Sequence, residues 1–202
     1  MTDHEQLTGR PDFDAIAGWV APRATVLDLG CGDGLLLKYL TGTRGVTGYG
    51  IEIDDANVLA CVKNGVNVIQ SDLERGLQGF DAGSFDYVIL SQTLQAMRNT
   101  EAIVLEMLRV GRQAIVAFPN FGHWQARWQV AFGGRMPVSE ALPYQWYDTP
   151  NLHLCTITDF ERFCAEHAVR ILERVVLHAG RPVELFPNLL GSLAVFRFEK
   201  RH

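Results

Sequence analysis

The chain has 202 residues, 48% of them hydrophobic and 20% charged, which is typical of one globular domain with a substantial core. A formal net charge of −5 argues against partners such as nucleic acid or an anionic membrane, because proteins that bind these usually present a basic face. No apolar run approaches the roughly 20 residues that span a bilayer, and the polar first residues contain no secretory segment, so the cytoplasm is the expected location.

The first predicted element is a helix at about 13–20, and the second is a buried strand at about 25–29. Glycines follow the strand at every second position, so a turn there would let a ligand approach the backbone closely. A leucine-rich helix begins immediately afterwards, near 34–41. Strand, glycine turn and helix N-terminus together are typical of a cradle for a nucleotide cofactor, and we expect the first helix to pack beside it.

The spacing of the turn favours one kind of cofactor. Dinucleotide-binding turns have the pattern G-x-G-x-x-G, whereas here an aspartate is followed by glycines at alternate positions. This D-x-G-x-G-x-G pattern resembles the first motif of class I S-adenosylmethionine (SAM) methyltransferases. The resemblance implies binding of SAM or S-adenosylhomocysteine by the residues of the turn, Asp28, Gly30, Cys31, Gly32 and Gly34.

A second buried strand, near 47–52, ends at an acidic residue. A carboxylate at that position can accept hydrogen bonds from both hydroxyls of a ribose. We assign this role to Glu52 and place Ile53 beside it in the cofactor site. The acidic pair that follows, Asp54 and Asp55, is predicted to cap the next helix.

A third strand, near 66–69, runs into Ser71, Asp72 and Leu73, where methyltransferases of this class hold the adenine edge. A carboxylate there can accept from the exocyclic amine, and Leu73 offers an apolar face. Taken alone, Asp72 is equally well explained as a helix cap. Its register with the first two motifs favours ligand contact.

A fourth strand, near 85–90, ends at Ser91, a position that in this fold borders the transferring methyl group. The ends of the first four predicted strands come in the order expected for a SAM methyltransferase, and each has side chains suited to contact one part of SAM. We therefore take SAM binding as the working hypothesis.

The alternation of short apolar strands with helical patterns predicts right-handed βαβ units. The expected fold is α/β and Rossmann-like, of the class I SAM methyltransferase type, with a seven-stranded, mainly parallel sheet and helices on both faces, in one domain over 1–202. The last two strands should form a hairpin-like pair with one strand antiparallel. The remaining predicted strands lie near 113–118, 170–177 and 192–198, and the remaining helices near 55–63, 101–109 and 158–167.

A segment at about 119–157 is predicted as an aromatic-rich insertion. Glycines and prolines interrupt it, although Trp124 to Phe132 can form a short helix. Three interpretations stay open: a lid over the end of the sheet, a substrate pocket over the methyl donor, and a surface that docks a partner. The aromatic and histidine side chains of the segment include Phe121, His123, Trp124, Trp128, Phe132, Tyr144, Trp146 and Tyr147.

No metal site is predicted, because the four cysteines form no C-x-x-C pair and no zinc spacing, and we expect them to be reduced. Cys31 is the small side chain that the glycine turn requires. His123 and His153 are candidate general bases, with a structural role as the alternative. No catalytic residue is assigned, although Gln92 and His123 are the candidates for a place near a methyl acceptor.

Two motifs are more specific than the shared methyltransferase pattern. They read FPNFGHW at 118–124 and LPYQWYDTPN at 142–151. With them, the chain resembles the methionine biosynthesis protein MetW family over about 11–176. The resemblance implies a SAM-binding accessory or regulatory subunit that partners a homoserine O-acyltransferase, the enzyme that activates homoserine for methionine synthesis.

The alternative function is an active SAM-dependent methyltransferase that acts on a small-molecule carbon or oxygen acceptor. Orientation of the donor can supply much of the catalysis, so the missing catalytic triad does not argue against activity. The fourth strand is followed by Ser91-Gln92-Thr93 instead of an Asn/Asp-Pro-Pro-Tyr/Phe motif, which disfavours DNA adenine and protein glutamine as substrates.

Overall fold

The computed structural model describes residues 10–201, so the polar N-terminal residues considered above lie outside it. The strands are β1 (Thr25–Leu29), β2 (Thr47–Glu52), β3 (Val68–Gln70), β4 (Phe85–Ser91), β5 (Gly111–Pro119), β6 (Val169–His178), β7 (Arg181–Pro182) and β8 (Leu193–Lys200). The helices are α1 (Pro11–Trp19), α2 (Leu35–Arg44), α3 (Asp55–Lys63), α4 (Thr100–Val110), α5 (Trp124–Ala131), α6 (Ile157–Glu166) and α7 (Pro187–Leu190). Two short 3-10 helices span Leu73–Arg75 and Leu94–Ala96.

The strands form one mixed sheet in the order β3-β2-β1-β4-β5-β8-β6-β7. The pairings from β3 to β5 are parallel, and β8 is antiparallel to both of its neighbours. The prediction of an α/β, mainly parallel sheet is confirmed. The order reverses between β1 and β4, so a crevice opens at their carboxyl ends, where open α/β sheets bind ligands.

The predicted number of seven strands was wrong by one, since the sheet has eight strands within the described residues 10–201. The additional strand is β7, a two-residue element that pairs with the end of β6. Ala179 and Gly180 join them with φ of 46° and 76°, positive values that suit a tight hairpin turn. A strand this short carries no period-two pattern, which is why the sequence did not indicate it.

Two apolar cores cover opposite faces of the sheet. Along β4, Val88 and Leu90 belong to the core beneath α4 and α6, whereas Tyr87 and Ile89 belong to the core beneath α1, α2 and α3. Successive side chains of a strand point to opposite faces, so a strand buried on both sides must be continuously apolar. This explains why β4 reads as an unbroken apolar run.

Local capping fixes the start of α3. The Asp54 side chain accepts a hydrogen bond from the backbone N–H of Asn57 over 2.9 Å, which confirms the predicted cap. Asp55 is instead the first residue of the helix, and its carboxylate accepts a hydrogen bond from Gln70. The cap is therefore Asp54 alone.

The aromatic-rich segment contains α5, which confirms the predicted short helix, and otherwise mostly irregular structure. Its start is fixed by Asn120, whose side chain donates to the carbonyls of Asn188 and Gly191 and accepts from the N–H groups of Gly122 and Ile157. These bonds connect the segment to the strand and helices around it. Among residues 10–201, no helix combines the length and the apolar composition needed to cross a membrane.

Candidate cofactor site and adjoining cavity

The glycine turn after β1 presents bare backbone to the crevice. Gly30 has φ of 63°, and a Cβ there would lie 2.8 Å from the Thr93 side chain. Gly32 has φ of 55°, and a Cβ there would meet no atom within 4 Å. Gly30 is thus required by packing and backbone conformation, whereas Gly32 leaves open space in front of the turn.

Backbone donors from both sides hold the Glu52 carboxylate in place. Its Oε2 accepts from the N–H of Gly32 over 2.8 Å, and its Oε1 accepts from the N–H groups of Ile53 and Asp54 over 2.8 and 3.0 Å. The residue is 8% exposed. Since a carboxylate can accept about four hydrogen bonds, this group is oriented and retains capacity for a ligand hydroxyl.

A cavity of about 440 Å³ opens at the carboxyl ends of β1, β2 and β4 and beyond the end of β3, within the volume range of small-molecule sites. Six of the eleven predicted cofactor residues line it: Gly30, Glu52, Ile53, Ser71, Asp72 and Leu73. The sequence did not indicate the other lining residues, which are Ile51, Glu74, Thr93, Ala96, Met97 and Arg98.

The lining residues that were missed lie mostly on the two 3-10 helices and next to them. Single 3-10 turns have too few residues for a recognisable pattern. Glu74 joins the two elements, because its Oε1 accepts from the backbone N–H of Arg98 over 2.7 Å. Asp72 both lines the cavity and caps the first 3-10 helix, where its Oδ1 accepts from the N–H of Glu74, so its two proposed roles are compatible.

The other five predicted residues lie behind the cavity surface or beside it. Asp28 is 2% exposed, its Oδ2 has no hydrogen-bond partner, and burial followed by the nearby Glu52 raises its pKa to about 7. Ser91 Oγ is also buried without a partner. Gly34 has φ of 77° and is the N-cap of α2, and Gly32 contributes its N–H to Glu52.

Cys31 contributes to packing. Its Sγ lies 3.6 Å from Cys61 Sγ in the core, and burial raises the pKa of the Cys31 thiol far above its ordinary value. A thiol held in its neutral form is a poor nucleophile. The side chain therefore fills the space behind the turn, and the thiol packs against Cys61.

A second cavity, of about 230 Å³, lies at the ends of β4, β5 and β6, near the start of β8. Gln92 and His123, the two candidates for a place near a methyl acceptor, both line it. Gln92 has φ of 56°, and its Nε2 donates to Asp12 Oδ2 over 3.1 Å, so the first turn of α1 lies beside this cavity. The next residue, Thr93, lines the first cavity.

The two candidate histidines occupy different places. His123 is 5% exposed, and its ring lies against that of His178, with the centroids 4.8 Å apart. His153 is exposed, and its Nε2 lies 3.2 Å from the carbonyl oxygen of Arg98. Within residues 10–201, no group of three or more His, Cys, Asp or Glu side chains is arranged to hold a metal ion.

Comparison with known proteins gives a family and a fold. The family model for the methionine biosynthesis protein MetW matches residues 10–198. A Rhodopirellula baltica protein named bifunctional methionine biosynthesis protein MetXA/MetW is 36% identical over an alignment of 209 positions, which covers 97% of this chain and 34% of that protein. The chain therefore spans about a third of the length of this curated relative.

Solved structures of SAM-dependent methyltransferases have the same fold. One from Thermotoga maritima, described as a possible histamine N-methyltransferase, has a TM-score of 0.68 and 16% identity, with 95% of this chain and 88% of that chain covered. A putative one from Listeria monocytogenes has a TM-score of 0.70 and 13% identity, with 95% and 99% covered. The Rossmann-like class I SAM methyltransferase fold is thereby confirmed.

Proposed function

The chain belongs to the methionine biosynthesis protein MetW family, and from this premise we propose that it is a SAM-binding accessory or regulatory subunit that acts with a homoserine O-acyltransferase. The observation that carries the proposal is the bifunctional MetXA/MetW relative, in which a segment similar to this chain makes up 34% of a longer polypeptide. Two activities joined in one chain are held at high effective concentration, and separate proteins can achieve the same by forming a complex.

The first cavity suits SAM or S-adenosylhomocysteine. The Glu52 carboxylate already accepts three backbone hydrogen bonds and would accept one more from a ribose hydroxyl, and Asp72 with Leu73 would contact the adenine. The open space in front of Gly32 leaves room for the cofactor to approach the backbone. When bound, SAM supplies a methyl group on a positively charged sulfonium.

The buried polar atoms near the turn support the same cofactor. Asp28 Oδ2 and Ser91 Oγ are buried without partners, a state that costs free energy in the protein alone. SAM carries two positive groups, its sulfonium and its ammonium, and either would favour the ionised form of Asp28. Ligand binding would thus offset part of the cost of burying this carboxyl.

SAM binding would allow the proposed subunit to regulate the acyltransferase. Methionine is the precursor of SAM, so a SAM-binding subunit can report the level of the end product to the acyltransferase. Such coupling requires that SAM favour one state of the complex over another. The subunit would then change homoserine acylation without catalysing it.

The exposed aromatic side chains of the insertion are the proposed docking surface for the acyltransferase. Trp128, Phe132, Trp146 and Tyr147 are each more than half exposed, at 59%, 73%, 73% and 70%. Exposed tryptophan and tyrosine are enriched among the residues that contribute most to protein–protein binding. This proposal adopts the third interpretation of the aromatic-rich segment, a surface that docks a partner.

The test is homoserine acylation by the acyltransferase of the same organism, measured with and without this chain, at zero and saturating SAM. We expect the chain to change the rate and SAM to modulate the change. Loss of the SAM effect in the Gly32→Asp variant, with its retention in Gly83→Asp, would assign the effect to the first cavity. An acyltransferase whose rate is the same in all conditions would refute the partnership.

The second cavity favours the alternative, a methyltransferase acting on a small molecule. Gln92 lines this cavity and the next residue, Thr93, lines the first, so a small acceptor could bind close to the cofactor. A chain that converts SAM to S-adenosylhomocysteine in the presence of a metabolite, without the acyltransferase, would establish this activity. A chain that modulates the acyltransferase and gives no such turnover would be a regulatory subunit alone.

A further inference from the structure

The second cavity is built from several parts of the chain that meet in the fold. Pro11, Gln92, His123, Leu142 and His178 line it together with the start of β8. Its volume of about 230 Å³ lies just below the usual range for drug-sized ligands, so it suits a small metabolite. The aromatic-rich insertion closes one side through residues 139–142.

A helix N-terminus faces this cavity. The eight-residue helix α5 begins at Trp124, and its N-cap residue, His123, makes no side-chain capping bond. Gln125 and Ala126 of its first turn line the cavity. The first N–H groups of a helix have no intrahelical acceptor and carry partial positive charge, so they attract anions.

An imidazole pair lies beside the helix N-terminus. His123 is 5% exposed, and its Nε2 is buried without a hydrogen-bond partner. His178 stacks on it, and its Nδ1 lies 3.3 Å from Ser192 Oγ, whose hydroxyl lies within donating distance of the carbonyl of Leu177. Ser192 thus connects the His178 ring to the end of β6 through Nδ1.

We propose that this cavity binds the carboxylate of a small monocarboxylic metabolite, held by the His123–His178 pair and the N-terminus of α5. The inference does not require SAM binding, since the cavity is separate from the proposed cofactor cavity. A carboxylate brings a negative charge to a helix N-terminus and an acceptor to a buried imidazole. Both interactions stabilise the bound anion.

The charges around the cavity favour a monocarboxylate over phosphate or a dianion. Among residues 10–201, no lysine or arginine lines it, and Glu140 contributes one negative charge. The Arg10–Asp12 ion pair lies next to the cavity behind Gln92, and its opposite charges compensate each other. A single negative charge on the ligand is therefore better matched than two.

Binding should take up a proton. Burial, and then the nearby His178, lower the pKa of His123 in the protein without ligand, so its ring is largely neutral at neutral pH. A carboxylate close to the ring favours the imidazolium form. The proton is transferred from solvent to the His123 ring, and affinity should fall as the pH rises above neutral.

The experiment is calorimetric titration of the full chain, without SAM, using acetate, propionate, butyrate and lactate. The matched neutral probes are the corresponding amides, and inorganic phosphate and propylamine complete the panel. We expect saturable binding of at least one carboxylate with a Kd below about 1 mM, and at least about tenfold weaker binding of its amide. The heat should vary with the ionisation enthalpy of the buffer, which reports proton uptake.

Variants test the named groups. His123→Gln should weaken carboxylate binding at least about tenfold, whereas His153→Gln, outside the cavity, should leave it unchanged. Because His123 is buried, its substitution could unfold the protein. Two further variants at Gln125, which is exposed on the first turn of α5, avoid this risk. Gln125→Glu should weaken binding and Gln125→Lys should strengthen it.

Four results would overturn the proposal. They are the absence of saturable binding by any carboxylate, equal binding of acids and amides, preferred binding of phosphate or amine, and no response to the charge at Gln125. None of them bears on whether the first cavity binds SAM. The two proposals can therefore fail separately.

Discussion

The backbone N–H of Gly32 donates a hydrogen bond to Glu52 Oε2 over 2.8 Å, so the glycine turn after β1 and the acidic end of β2 form one unit. A side chain introduced at Gly32 would enter the open space in front of this unit. A ligand that approaches the turn would compete with the introduced side chain for that space. This relationship makes Gly32 the most direct test of the proposed cofactor cavity.

Gly32→Asp should abolish measurable SAM binding, a loss of about a hundredfold or more by calorimetry. The new side chain would enter the open space in front of the turn and bring a negative charge next to Glu52, which lines the cavity. Gly83→Asp is the matched control, because Gly83 also has a positive φ, of 67°, and open space, but precedes β4 at the opposite edge of the sheet. Unaltered SAM affinity in Gly32→Asp would rule out this cavity as the cofactor site.

Asp28→Asn should change how stability depends on pH. The pKa of Asp28 is raised from 3.8 to about 7 in the fold, so the folded protein binds more protons than the unfolded chain between these values. The contribution of Asp28 to the free energy of unfolding therefore falls as the pH rises from about 4 to 7, by at most about 4 kcal/mol, and stays low above 7.

The amide of Asp28→Asn does not titrate, so the variant should lack this decline and gain stability relative to the parent chain as the pH rises. Urea unfolding of both proteins at several pH values measures the difference. Parallel stability curves across this pH range would contradict the raised pKa of buried Asp28.

Asn120→Ala should destabilise the fold by about 3 kcal/mol. Asn120 is 3% exposed, and its side chain makes four hydrogen bonds to backbone groups, which the substitution leaves unpaired. Asn67→Ala, at an exposed position, is the control and should change the free energy of unfolding by less than about 0.5 kcal/mol. Chemical denaturation provides both values, and equal effects would refute the anchoring role of Asn120.

Trp146→Ala should weaken the complex with the acyltransferase by about thirtyfold or more, as expected for a central interface residue. Trp146 is 73% exposed and packs at a right angle against Tyr147, so its loss should leave thermal stability nearly unchanged. Tyr49→Ala, 46% exposed on β2, is the control outside the segment. If biolayer interferometry gives the same Kd for the parent chain, Trp146→Ala and Tyr49→Ala, the docking surface lies elsewhere.

Features that depend on neighbours in the chain could be predicted. The glycine turn after β1 and the N-cap at Asp54 are set by a few consecutive residues, and each lies where the sequence indicated. The apolar run of β4 follows from burial on both faces of a parallel sheet. Because the carboxyl ends of parallel strands share one edge, the order of the strands also predicted that Gly30, Glu52 and Ser71 would lie together.

The sequence by itself determined the α/β fold class, the family resemblance and the strand-end residues of the first cavity, because these depend on short-range patterns of hydrophobicity and glycine. The tertiary structure alone decided the rest. It added Thr93 and Met97 to that cavity from an element too short to have a pattern. It also placed His123 against His178, 55 residues along the chain, because the packing of α5 beside the end of β6 brings them together. Contacts between distant residues depend on how whole elements pack, and no local pattern encodes them.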